Sequence, residues 1–117
     1  MAAPNIVNVS TITGKTAVQA VGTSATAIVS NGAGSNKVLK VNALYVSNVD
    51  GSVAAEITVD LYRSSVAYHL AKTISVPADA ALDVLSKAIY LEEGDDLRLT
   101  ASAAGDLEAV CSYEEIS

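Results

Sequence analysis

The chain contains no phenylalanine, no tryptophan, one cysteine, one histidine and only seven basic residues against thirteen acidic ones. Each scarcity excludes something. A single cysteine, Cys111, cannot form an intrachain disulfide, so no disulfide framework holds this fold. Seven Lys and Arg spread singly over 117 residues, with a net charge of −6, give no basic patch to replace phosphate counterions, which excludes a nucleic-acid partner. No apolar run approaches the ~20 residues that span a bilayer. The first residues, Met1-Ala2-Ala3-Pro4-Asn5, have neither the charged nor the apolar region of a signal peptide. The expectation is a soluble protein made in the cytoplasm, with no membrane partner.

What is present is small and aliphatic. Half the residues are hydrophobic, but 20 are Ala and 15 are Val, with five Tyr the only aromatics. Large rings normally supply about 150–250 Å² of buried area each. Without Phe or Trp, thin sheets must pack closely through Ala and Val. The length suits one domain with one core. A domain with so modest a core gains by burying further surface against neighbours, so self-association or docking on a larger body is expected.

Turn signals recur about every dozen residues. Gly14-Lys15, Ser30 to Asn36, Asp50-Gly51, Ser64-Ser65, Pro77 to Ala81, Glu92 to Asp95 and Ala103 to Asp106 cut the chain into eight strand candidates. That spacing predicts an all-β protein, a single-domain antiparallel β-sandwich of about eight strands, jelly-roll-like. Asn5 to Thr13 reads as the first strand, and Gly14-Lys15 as a two-residue hairpin leading into Thr16 to Val29, with a corner at Gly22-Thr23-Ser24. Ser30 to Asn36 is all small or polar and reads as a flexible exposed loop. Lys37 to Val49 changes the phase of its alternation, as a bulged or doubly buried strand would. Asp50-Gly51 predicts a hairpin into the cleanly alternating Ile57, Val59 and Leu61. Ser64-Ser65 turns the chain into Val66 to Val76, and Val76 to Ala81 is long enough to cross between sheets. Leu82 to Leu91 fits a bulged strand, or a short helix over Ala80 to Lys87 capped by Asp79. Leu97 to Ala101 and Leu107 to Tyr113 are expected to pair, with Leu97, Leu99, Ala101, Leu107, Ala109 and Cys111 inward.

Candidate chemistry is sparse. His69 could be grouped with Ser64 and Asp60 as base, nucleophile and orienter, but no Gly-framed nucleophile turn accompanies them, and His69 reads as a surface side chain. Glu92, Glu93, Asp95 and Asp96 put four carboxylates in one turn, a candidate for calcium. They lack the alternating order that points several oxygens at one ion, and the plainer reading is a hairpin turn with Gly94 left-handed and the acids hydrated. Tyr45, Tyr62, Tyr68, Tyr90 and Tyr113 fall on five segments, so a sugar-binding platform would have to be assembled by the fold. Cys111 reads as a small buried apolar group. No cofactor and no enzymatic activity are expected.

The stretch from Ile89 to Ala103, with its acidic Leu91-Glu92-Glu93-Gly94-Asp95 turn, and the closing Ser112-Tyr113-Glu114-Glu115-Ile116 resemble small all-β virion structural proteins of tailed phages, cyanophage-like ones in particular. Pro4 to Val9 and Val59 to Arg63 fit the same pattern. The resemblance implies a virion location after synthesis in the host cytoplasm, and a capsid decoration or cement role through contacts with the major capsid protein or other virion proteins. It implies no catalytic residues. A tail, neck or fibre-attachment component is the alternative within that class, and a carbohydrate-binding adhesion module the alternative outside it. A homo-oligomer, a trimer for instance, is expected. Interface residues would come from an extended arm over residues 1–5 (Ala2, Ala3, Pro4), the loop residues Ser30, Asn31 and Asn36, the outward apolar Val53 and Val66, and a tail over residues 114–117 with Tyr113 and Ile116.

Overall fold

The computed structural model describes residues 4–117. The arm residues Ala2 and Ala3 lie outside the described part. Nine strands form: β1 (Ile12–Ala20), β2 (Thr26–Ser30), β3 (Val38–Asn48), β4 (Ala55–Arg63), β5 (Val66–Val76), β6 (Ala81–Asp83), β7 (Ile89–Leu91), β8 (Asp96–Ala101) and β9 (Leu107–Ile116). They make two antiparallel sheets. The first runs β1-β9-β3-β6, with β7 also paired to β3, and the second runs β2-β8-β4-β5. β6 and β7 flank successive parts of β3 and act as one interrupted strand. Each sheet therefore has four positions, and the chain alternates between sheets except at the β4–β5 hairpin and from β6 to β7. This is the two-Greek-key jelly roll.

That alternation corrects several expectations. Gly14-Lys15 is no turn: it lies within β1, paired with Glu114 and Tyr113 of β9. Residues 5–8 form a turn instead of the expected first strand, with Asn8 N–H donating to Asn5 O at 3.0 Å. Asp50-Gly51 and Glu92 to Asp95 are not hairpins, because each passes the chain from the first sheet to the second. β8 and β9 lie in opposite sheets, so the two strands meet face to face across the core and do not pair. The region 79–87 holds β6 and no helix. The expected tail is the end of β9, where Ser117 and Thr11 exchange backbone hydrogen bonds at 2.9 Å each. Ser64-Ser65 does make the β4–β5 hairpin, with both residues at positive φ (52° and 63°), and Val76 to Ala81 does cross between sheets.

The core is aliphatic and thin. Its largest fully buried side chains are Leu44, Ile57, Leu91, Leu97, Leu99 and Leu107, packed with Val41, Val46, Val59, Val76 and Cys111. The predicted inward set of β8 and β9 is buried throughout. In β3 the phase change is a bulge: the register with β9 shifts between Val41 and Ala43, so Leu39 and Val41 face in before it and Leu44 and Val46 after it. The bulge turns Tyr45 outward.

Candidate functional site

The outer faces of the two sheets differ. On the second sheet the face is polar and self-satisfied. The Arg98 guanidinium lies 3.5 Å from the Tyr62 ring centre and donates to Asp96 at 3.1 Å. Ser30 donates to the same Asp96 carboxylate. Asp60, buried, is hydrogen-bonded to His69 directly across the β4–β5 ladder. Ser64 lies four residues further along the hairpin, about 13 Å at ordinary strand rise, so the imagined triad is not brought together. Tyr62 is covered by Arg98, and the exposed Tyr68 lies on the second sheet. The exposed Tyr45 and Tyr90 lie along β3 of the first sheet at positions five residues apart, about 17 Å at ordinary strand rise, so the tyrosines form no common platform.

The first sheet presents the opposite character. Ala17, Cys111 and Leu44 form one cross-strand row, and Cys111 and Leu44 are fully buried. Side chains alternate across a strand, so the next row, Val18, Val110 and Tyr45, points outward. These three are 75%, 41% and 51% exposed. One apolar side chain from each of β1, β9 and β3 thus makes a ladder across the sheet. The adjoining outward rows are Thr16, Ser112 and Ala43 on one side and Ala20, Glu108 and Ser47 on the other, small except for Glu108. The result is a face with an apolar centre, bordered by Glu108 and, beside Tyr45, by Asp83. β5 adds exposed Val66, Tyr68, Leu70 and Ile74 at the far edge of the second sheet, because the three-residue β6 and β7 opposite are too short to cover it.

The acidic turn is a structural brace. Asp95 is 1% exposed and accepts from Arg63 Nε at 2.7 Å, Arg63 Nη2 at 2.5 Å and the Glu92 N–H at 2.8 Å. Burial pushes its carboxyl up, but the Arg63 hydrogen bonds, the Glu92 N–H and the Arg63 charge outweigh this and hold it below the usual carboxylate range. Arg63 itself is raised by the same partnership with Asp95. Glu92 accepts from the same Arg63 Nη2 at 2.9 Å, and Glu93 accepts the Asn36 N–H at 2.7 Å. The carboxylates are turned to protein donors, Glu92 and Asp95 sharing Arg63, and among the described residues no cluster of three or more His, Cys, Asp or Glu is arranged to hold a metal ion. Gly94 does take positive φ, 90°.

The Ser30–Asn36 loop is also not the free loop expected from composition. Asn31 is buried, its amide donating to Lys37 O at 2.9 Å and Leu91 O at 3.0 Å, and its N–H donating to Asp95 O at 2.8 Å. Gly94 N–H returns a bond to Asn31 O at 2.8 Å. Loop and acidic turn clasp each other. Asn31 is therefore not available as an interface residue, and neither is Ile116, which is buried. Tyr113 packs against the core from a half-buried position. Ser30, Asn36, Val53 and Val66 are exposed, and Pro4 is half-buried. Reading the chain segment by segment missed Val18, Val110 and Tyr45, whose signal is an apolar residue out of phase beside buried neighbours.

No family model matches the chain, and no curated protein matches it. Among solved structures it is similar to a chain of the Bacillus endospore appendages, which form a family of disulfide-linked pili. The TM-score is 0.53 with 14% identity, over 92% of this chain and 88% of that one. At that identity the likeness is one of fold, all-β in both.

Proposed function

We propose that this protein is a structural assembly subunit, a capsid decoration or cement protein of a tailed-phage virion that works by burying surface against its neighbours. The observation that carries the reading is the exposed Val18–Val110–Tyr45 ladder between rows of mostly small residues. Such a row exposes apolar area that no element among the described residues covers, and exposed apolar patches of this kind mark interaction sites. The thin core agrees: stability forgone by a core without Phe or Trp is recovered at contacts with neighbours. The resemblance of the acidic turn and the closing residues to phage virion proteins supplies the location. The fold shared with a pilus subunit is consistent with an assembling protein. Unlike a disulfide-linked pilus, this chain has only Cys111 to offer, and it is fully buried. Its contacts would be non-covalent.

The test is quantitative mass spectrometry of purified particles of the phage that encodes the chain, scaled to the major capsid protein. A copy number comparable with the capsid protein supports a lattice-wide decoration role. A few copies per particle would move the protein to the neck, tail or fibre, and absence from particles would overturn the virion reading.

A further inference from the structure

A sheet edge left unpaired is a template for another strand, and proteins blunt such edges by shortening, bulging or charging them. Three of the terminal positions here are blunted. β5 shifts register twice against β4 and carries a left-handed residue, Thr73 at φ 48°. β2 has five residues and one shift. β6 and β7 have three residues each. β1 is different. It is nine residues long, has no proline, and keeps one unbroken register with β9 from Ile12–Ile116 to Ala20–Glu108. Its one charge, Lys15, turns to Glu115 at 3.1 Å.

The ladder shows which groups are free. Thr11 and Ser117 exchange two hydrogen bonds, and Val21 N–H donates to Leu107 O at 2.9 Å, both in the register of β1 with β9. Antiparallel pairs alternate between bonded and non-bonded. The odd-numbered residues of β1 therefore bond to β9, and Ile12, Gly14, Thr16, Val18 and Ala20 point their N–H and C=O groups outward. Among the described residues none bonds to that edge. The same five residues hold their side chains on the outer face, with Val18 in the apolar ladder. Gly14 is a second, independent signal. It sits in mid-strand without positive φ, and a Cβ built on it meets nothing within 4 Å. A glycine inside a strand often marks the close approach of another backbone, and among the described residues nothing approaches this one.

We propose that β1 pairs antiparallel with β1 of a second copy, about a two-fold axis through Thr16, joining the two first sheets into one continuous sheet. This names a partner for the assembly subunit proposed above and rests on that reading. Full overlap of the nine residues sets the register: Thr16 opposite Thr16, Gly14 opposite Val18 of the second copy, and Ile12 opposite Ala20. The five outward positions on each strand form about ten backbone hydrogen bonds, two to each bonded pair. Val18 of one copy fills the space over Gly14 of the other, so the Tyr45–Val110–Val18 row runs on into the Gly14–Glu114–Lys40 row of the second copy. Lys15 meets Ala17, so no like charges oppose. A strand that is complementary to itself in this way argues for a second copy over a foreign segment.

The experiment uses the full chain. Sedimentation equilibrium should show a dimer, and Thr16→Cys should give a covalent dimer on mild oxidation, since bonded antiparallel pairs set Cα atoms about 5.5 Å apart. Ala20→Cys should not, because its counterpart across the axis lies about 27 Å away at ordinary strand rise. Thr16→Pro removes only an outward N–H, which an edge strand tolerates. It should leave the melting temperature within a few degrees while weakening the dimer at least ~100-fold. A wild-type monomer at about 1 mM, association unchanged by Thr16→Pro, or cross-linking through Ala20→Cys in place of Thr16→Cys would each overturn the pairing. A chain abundant in particles but monomeric here would overturn the β1 contact alone and leave the assembly-subunit reading standing.

Discussion

Replacing Arg63 by Met tests the brace that holds the acidic turn. The Asp95 carboxylate is buried, and Arg63 supplies two of its three hydrogen bonds, at 2.7 and 2.5 Å. Methionine keeps much of the side-chain stem and removes the charge. The buried carboxylate then retains only the Glu92 N–H. Charge-assisted hydrogen bonds contribute about 1.5–3 kcal/mol each, and breaking a buried pair from one side costs about 3–5 kcal/mol. Arg63 is half-exposed, which argues for the lower end, so the expected loss is about 3 kcal/mol at pH 7. For a domain of this size that lowers the melting temperature by roughly 12 °C. Glu92→Gln touches the same guanidinium from an exposed position and should cost less than about 1 kcal/mol.

The pH dependence separates a lost ion pair from lost packing. In the wild type the folded Asp95 carboxyl is depressed. Its contribution is complete above the unfolded value of about 3.9 and is lost as pH falls through the lower folded value. In Arg63→Met burial dominates and the folded value rises above the unfolded one. That penalty is complete above the raised value and gone below about 3.9. The stability gap between the two proteins should therefore narrow from pH 7 to pH 3, measured by urea unfolding at both. Equal midpoints for Arg63→Met and Glu92→Gln, or a gap that does not change with pH, would refute the reasoning.

Three further outcomes follow from single sites. Asn31→Ala leaves the Lys37 and Leu91 carbonyls without their amide donor and should cost about 2–3 kcal/mol, with faster amide exchange at residues 31–37; unaltered exchange there would contradict it. Ser64→Asn with Ser65→Gly places residues suited to positive φ in the β4–β5 turn and should raise stability by about 0.5–1 kcal/mol, read as a higher urea midpoint. Burial pushes the Cys111 thiol up to about 11, so a disulfide reagent at pH 8 should label it only in denaturant. Rapid labelling of the native protein would show that the inner face is open.

Several strands could be located from the chain alone, because in β8 and the first half of β9 every second residue is apolar and buried. Their pairing could not. Asp50-Gly51 and Glu92 to Asp95 announce that the chain reverses, and a reversal within one sheet looks locally the same as a passage to the other. What decides is a distant partner: Val38 pairs with Ile116 and Asn48 with Leu107, so β3 takes β9 as its neighbour and leaves β4 for the opposite sheet. The loop at Ser30–Asn36 is exposed over most of its length, as its composition suggests, but the burial of Asn31 has a related cause. Small polar residues suit exposed turns, but here Asn31 supplies hydrogen bonds that two carbonyls far apart in the chain require. The apolar ladder shows the limit most clearly. Val18, Val110 and Tyr45 come from three strands, each a single outward residue between inward neighbours, and no spacing rule joins them. A site built from one side chain per strand leaves no motif. Its trace is a hydrophobic residue on the wrong phase, which in a single strand looks like chance and in three registered strands becomes a surface.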